Sequence, residues 1–147
     1  MLTRLIYVSR ALSPLPLDLK DIFFTARKAN FVLEITGTLC FLDGIYFQYI
    51  EGERWAVSTL YRRIEQDPRH QDVKLLVYEP IAQRWYPNWT MALLTWNEET
   101  KAVFRLFNRD KALDLHATDP ETAHSLLNAW SHTSNWMTLP APPEGDA

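Results

Sequence analysis

The chain opens with an alternating pattern. Along Leu2 to Ser9, the residues Leu5, Tyr7 and Ser9 fall on one face, and Ile6 and Val8 on the other. This is the period of a strand covered on both sides. Pro14 and Pro16 break the run. Beyond Asp18, read as an N-cap, Leu19, Ile22, Phe23 and Ala26 recur at helical spacing, and the helix is expected to fade near Asn30. Strands then fit Glu34 to Leu42 and Ile45 to Glu51, joined across Asp43-Gly44, a strong two-residue hairpin signal. Val57, Leu60, Tyr61 and Ile64 mark a second amphipathic helix that Asp67-Pro68 ends. Val73 to Tyr78 and Trp89 to Trp96 read as the fourth and fifth strands.

The order β-α-β-β-α-β-β predicts an α+β, ferredoxin-like sheet with two helices on one face. The remainder reads as helical. Val103, Leu106 and Phe107 share one face, and Ala123, Leu126, Leu127 and Trp130 share another. Asp119-Pro120-Glu121 supplies a cap, a first-turn proline and an acid facing the helix dipole. These helices are expected to cover the sheet face that the first pair leaves bare. The expected organisation is a domain over residues 1–96, a helical cap over 97–139 and a frayed tail over 140–147.

Composition narrows the function. The 147 residues suit a single domain with a proper core, and a net charge of -3 offers no general attraction to nucleic acid. Cys40 is the single cysteine, which excludes an internal disulfide and a cysteine-based zinc site. The apolar run Leu5 to Val8 is too short for a secretory or membrane segment, so a cytoplasmic protein is expected, in which the sequon Asn88-Trp89-Thr90 has no use. His116, His124 and His132 are spaced so that successive ones turn by roughly 80° on a helix, so no metal site is expected. Phosphate loops and nucleophile elbows are absent.

The unusual positions are polar ones inside apolar strands. Gln48 lies in Ile45-Tyr-Phe-Gln-Tyr-Ile50, and its buried amide needs partners or costs about 1–3 kcal/mol. A purely structural partnership and a binding role both satisfy that demand. In a ferredoxin-like sheet the first and third strands are adjacent, so Tyr7 and Gln48 can meet beneath the helices, with Asn30 at the end of the first helix. A phenol and two amides are poor nucleophiles at neutral pH, but they suit hydrogen bonding to a heteroaromatic ring.

Five strings in order then carry a resemblance: Arg4-Leu-Ile-Tyr-Val-Ser-Arg-Ala11, Ile35-Thr-Gly37, Phe47-Gln-Tyr-Ile-Glu-Gly52, Ile64-x-x-Asp67-x-Arg-His70 and Trp89-x-Met91. Over roughly its first 95 residues the chain resembles the BLUF family, flavin-based sensors of blue light. The resemblance implies FAD, its ring slotted between the two helices. It implies that Tyr7 is the electron and proton donor, that Gln48 bridges the phenol and the flavin, and that Asn30 bonds the far end of the ring. Ser9, Trp89 and Met91 tune this network, although Trp89 reads equally well as core. Arg69 and His70 lie along the FAD tail, Arg69 near phosphate, with Lys28 as a second cation; Lys28-Ala29 departs from the polar pair often found there.

Light would thus rearrange the Gln48 hydrogen bonds without substrate chemistry, making the protein a receptor and not an enzyme. With little chain after Trp136, the signal is expected to pass to a separate effector. Phe104, Phe107, Trp130 and Trp136 exceed what a small cap can bury, so they are expected to anchor a homo-oligomer or that effector. Two other classes compete: a cofactor-free ferredoxin-like binding module, which would be colourless, and a small flavin reductase, which would need a nicotinamide pocket.

Overall fold

Asp43 and Gly44 both take positive φ, 49° and 80°, and turn the chain between its two most buried strands. A computed structural model describes residues 1–12, 19–108 and 113–138. Pro14, Pro16, Asp18 and the tail 140–147 lie outside the described residues, as do the side chains of Leu19 and Ile22. Within them the order is β1 (Leu2–Ala11), α1 (Leu19–Val32), β2 (Thr36–Leu42), β3 (Ile45–Glu53), α2 (Arg54–Gln66), β4 (His70–Pro80) and β5 (Ala92–Leu94). Then follow α3 (Glu98–Phe107), a 3-10 turn at Leu115–Ala117, α4 (Pro120–Ser131) and β6 (Trp136–Thr138).

The strands form one mixed sheet, ordered β4-β1-β3-β2-β5-β6. The first four elements of that order are the ferredoxin-like arrangement, all antiparallel; β5 joins β2 in parallel. Each face of β1 serves a different layer, as its alternation requires. Leu5 and Tyr7 pack with Val57, Leu60 and Ile64 of α2. Ile6 and Val8 pack with Phe104, Leu126, Leu127 and Trp130 of the C-terminal helices. The cap therefore covers the second face, as the apolar stripes demand.

Two expectations need correction. Trp89 to Trp96 is mostly not a strand; only Ala92–Leu94 pairs. The carbonyls of Trp89 and Thr90 are taken by the Gly37 amide and the Asn30 side chain, and Pro87 cannot extend a ladder. The C-terminal part is also not purely helical, because β6 pairs antiparallel with β5. Its three residues are too few for alternation to show.

The cap aromatics also differ from expectation. Phe104 and Trp130 are wholly buried, and Phe107 and Trp136 pack against the same core. Trp130 Nε1 donates to the Thr100 carbonyl at 3.0 Å, and Trp136 Nε1 to the Trp130 carbonyl at 3.0 Å. They are core residues, not surplus anchors. The sheet's second face is broad enough to absorb them. No helix of the described residues is long and apolar enough to cross a membrane.

Candidate functional site

The β1–β3 register sets Tyr7 directly opposite Gln48, and even spacing along each strand keeps both side chains toward α1 and α2. The Tyr7 hydroxyl donates to Gln48 Oε1. This pair floors a cleft between the two helices. Its walls are Ala26 and Ala29 of α1 and Leu60 and Ile64 of α2. The alanines leave space where larger residues would close the helices together. The cleft encloses about 600 Å³, counting its open mouth.

Polar groups gather at one end. His70 is buried, and its Nδ1 lies 2.8 Å from Ser9 Oγ. Burial drives its pKa from the ordinary 6.5 down to about 4, so the imidazole is neutral near pH 7. Its ring lies 5.0 Å from that of Tyr46 and 6.1 Å from that of Tyr7. Arg69 holds Asp67 through Nη2 to Oδ2 at 2.7 Å and Nε to Oδ1 at 3.1 Å. Hydrogen bonding from Arg69 keeps the Asp67 carboxyl below the usual carboxylate range. Burial, reinforced by Tyr46 and Tyr61, raises the Tyr7 pKa far above that of a free phenol, so its proton stays in place.

The nominated residues divide between the two layers. Tyr7, Gln48, Arg69 and His70 line the cleft, and Ser9 supports His70 from behind. Asn30 follows Ala29 of the cleft wall but does not line the cleft itself; it borders a neighbouring hollow with Ile35, Arg84 and Thr90. Its Nδ2 donates to the Thr90 carbonyl at 2.8 Å, while its wholly buried Oδ1 has no hydrogen-bond partner. Met91 is buried with Phe23, Leu39 and Tyr46 on the helix side. Trp89 instead lies in the opposite layer, stacked on Tyr86 at 5.0 Å and against Trp136 at 5.2 Å. Lys28 is exposed on α1 and does not line the cleft.

The cation that does line it, besides Arg69, is Arg63 of α2, which the sequence reading passed over. Its place one residue before the core-facing Ile64 was the available signal.

These features suit FAD. A flat ring matches apolar helix walls over the hydrogen-bonding floor of Tyr7 and Gln48. Arg63 and Arg69 at the polar end suit a diphosphate.

Residues 2–92 match the model of the family described as BLUF, sensors of blue-light using FAD. The chain is 45% identical over 105 residues to the photoactivated adenylate cyclase subunit beta of Euglena longa, a stretch covering 70% of this chain but 12% of that protein. It is 38% identical over 104 residues to the subunit alpha of Euglena gracilis, covering 70% and 10%. Among solved structures, the BlsA ground state superposes with a TM-score of 0.82 at 28% identity, covering 92% of this chain and 91% of that one. The dark state of BlrB, a BLUF protein, superposes at 0.73 with 33% identity, covering 88% and 94%.

Proposed function

Because the chain belongs to the BLUF family of blue-light sensors that use FAD, we propose that it is a photoreceptor whose switch is the Tyr7–Gln48 pair. The matched domain is a sensor module, not an enzyme. The observation that carries the proposal is the buried hydrogen bond from Tyr7 to Gln48 on the cleft floor. FAD, when bound, supplies the absorption of blue light and, once excited, a one-electron acceptor strong enough for a phenol. Tyr7 would lend its electron, and its hydroxyl proton by way of Gln48, to the excited ring and take both back, so that nothing is oxidised overall. Gln48 has one acceptor and one donor end, so rotation or tautomerisation of its amide exchanges the hydrogen bonds it offers on either side. Asn30 holds the far end of the ring, Ser9 and Met91 set the geometry around the pair, and Arg69 with His70 lies along the FAD tail. Lys28, exposed on α1, serves at most the outer end of that tail.

The output in this reading is a changed surface. Residues 1–96 sense, residues 97–139 form the cap, and a homo-oligomer or separate effector protein in the cytoplasm reads the cap. Exposed Leu106 of α3 and Met137 of β6 offer apolar contact for such a partner. The relatives named as photoactivated adenylate cyclases couple the same domain to a much longer chain.

The test is an absorption spectrum of the purified protein before and after blue light. The wild type is expected to be yellow and to show a reversible red shift. Tyr7→Phe and Gln48→Leu should bind FAD without the shift, and a normal shift in either would refute the assignment. A colourless chain that takes up no FAD would favour the cofactor-free binding module. Steady-state reduction of the flavin by a nicotinamide would favour the reductase.

A further inference from the structure

Glu51 is fully buried on the face of β3 opposite Gln48, three positions along the same strand. Its Oε1 accepts from the Tyr49 hydroxyl at 2.8 Å and the Trp85 amide at 2.8 Å. Its Oε2 accepts from the Thr36 hydroxyl at 2.9 Å and the Tyr86 amide at 2.7 Å. Four donors on two oxygens match the acceptor sites of a carboxylate. Hydrogen bonds to a charged acceptor are about twice as strong as neutral ones, and a carboxylate so enclosed is tolerated only when it is fully bonded.

Two of those donors belong to the connection that joins β4 to β5, residues 81–91. The same connection is tied at further points: Arg84 donates to the Thr36 hydroxyl at 3.0 Å, the Glu51 carbonyl at 3.1 Å and the Glu34 carbonyl at 2.7 Å, and the Ile81 amide to the Leu2 carbonyl at 3.0 Å. The Gly37 amide donates to the Trp89 carbonyl at 2.9 Å, and Asn30 Nδ2 to the Thr90 carbonyl at 2.8 Å. The Asn30 tie begins at a residue assigned to the flavin ring. On the other side the connection bears on the cap through its rings. Trp85 lies 4.1 Å from His124 of α4, and Trp89 lies 5.2 Å from Trp136 of β6. The connection is thus a short lever between the cleft and two cap elements, and the Glu51 carboxylate, beside the Arg84 ties, fixes it at Trp85 and Tyr86.

We propose that Glu51 is a positioning residue for the light response: it holds Trp85 and Tyr86 so that a change at Gln48 or Asn30 moves the connection, and through its tryptophans α4 and β6. The proposal rests on the photoreceptor reading above. Without the carboxylate the cleft keeps its photochemistry, because Glu51 projects from the opposite face of β3 and its hydrogen bonds go to Thr36, Tyr49, Trp85 and Tyr86. What is lost is the transmission. A loosened connection absorbs the displacement instead of passing it on.

The experiment uses FAD-loaded protein as wild type, Glu51→Gln and Glu51→Asp, measured in the dark and after blue light. Flavin absorption reports the switch, and near-ultraviolet circular dichroism of the tryptophans reports the connection and cap. Wild type is expected to show both signals. Glu51→Gln keeps the flavin red shift but retains less than about a fifth of the tryptophan signal and reverts roughly tenfold faster, the scale of one lost charged hydrogen bond. Glu51→Asp, which keeps the charge but sits one methylene short, recovers part of both. A full tryptophan signal in both variants would overturn the proposal. So would a wild-type red shift with no tryptophan change, or failure of both variants to bind FAD, which would make Glu51 a requirement of the fold. A wild type that binds FAD but shows no red shift would instead refute the photoreceptor reading itself.

Discussion

Acid should destabilise this protein through His70, by an amount the structure sets. The imidazole is 8% exposed, and burial lowers its pKa from 6.5 to about 4. In the unfolded chain it takes up a proton near pH 6.5; in the folded chain it resists until about pH 4. Between those values the unfolded state binds more protons, so stability falls as pH falls. The contribution is fully present above pH 6.5 and is lost by about pH 4. At about 1.4 kcal/mol per pH unit, the full loss amounts to roughly 3 kcal/mol.

The perturbation is His70→Gln, which retains a hydrogen-bonding partner for Ser9 but does not titrate. Urea unfolding at saturating FAD, measured at half-unit steps from pH 7.5 to 4, gives stability against pH for both proteins. Loss of Asp67 ionisation also destabilises at low pH, because its carboxyl is held low by Arg69. That slope is present in both proteins and mostly cancels in the difference, because Arg69 is the main cause of the lowered Asp67 pKa and His70 the smallest. The wild type is expected to lose about 3 kcal/mol more than the variant across the window. Parallel curves would refute the argument, and so would a wild type that gains stability on acidification.

Three further outcomes are expected. Arg69→Ala should lower FAD affinity about tenfold while leaving riboflavin affinity unchanged, measured by fluorescence quenching, because only FAD carries the diphosphate. Gly37→Ala should cost about 2 kcal/mol or more in urea unfolding, since a methyl there collides with the Tyr49 carbonyl of the neighbouring strand. Trp89→Phe should retain the red shift, because its ring packs on Tyr86 and Trp136 away from the cleft, and should cost about 1 kcal/mol of stacking.

Much of the architecture was legible because its period is local. The two-faced alternation of Leu2 to Ser9 reports two covering layers, and both exist. Asp43-Gly44 reports its own turn, because positive φ is a property of those two residues. Tyr7 and Gln48 could be brought together from sequence alone, since strand parity and a ferredoxin-like strand order leave them facing each other.

Long-range pairing decided the rest. Trp89 lies in an irregular segment, where alternation assigns no face; its side is set by the ties of the neighbouring carbonyls to Gly37 and Asn30. The strand β6 exists because β5 presents an edge to it, and three residues carry no period of their own. Arg63 shares the side of Leu60 and Ile64 by spacing, but that this side borders a cleft follows only from the packing of α2 over the sheet. The cap aromatics became core and not surface because the sheet beneath them was wide enough to receive them. Local pattern determines what an element is and which face it must bury. The partner that buries that face, and the irregular segment held between them, follow from contacts among residues distant in the chain, whose energies appear only when the whole sheet is assembled.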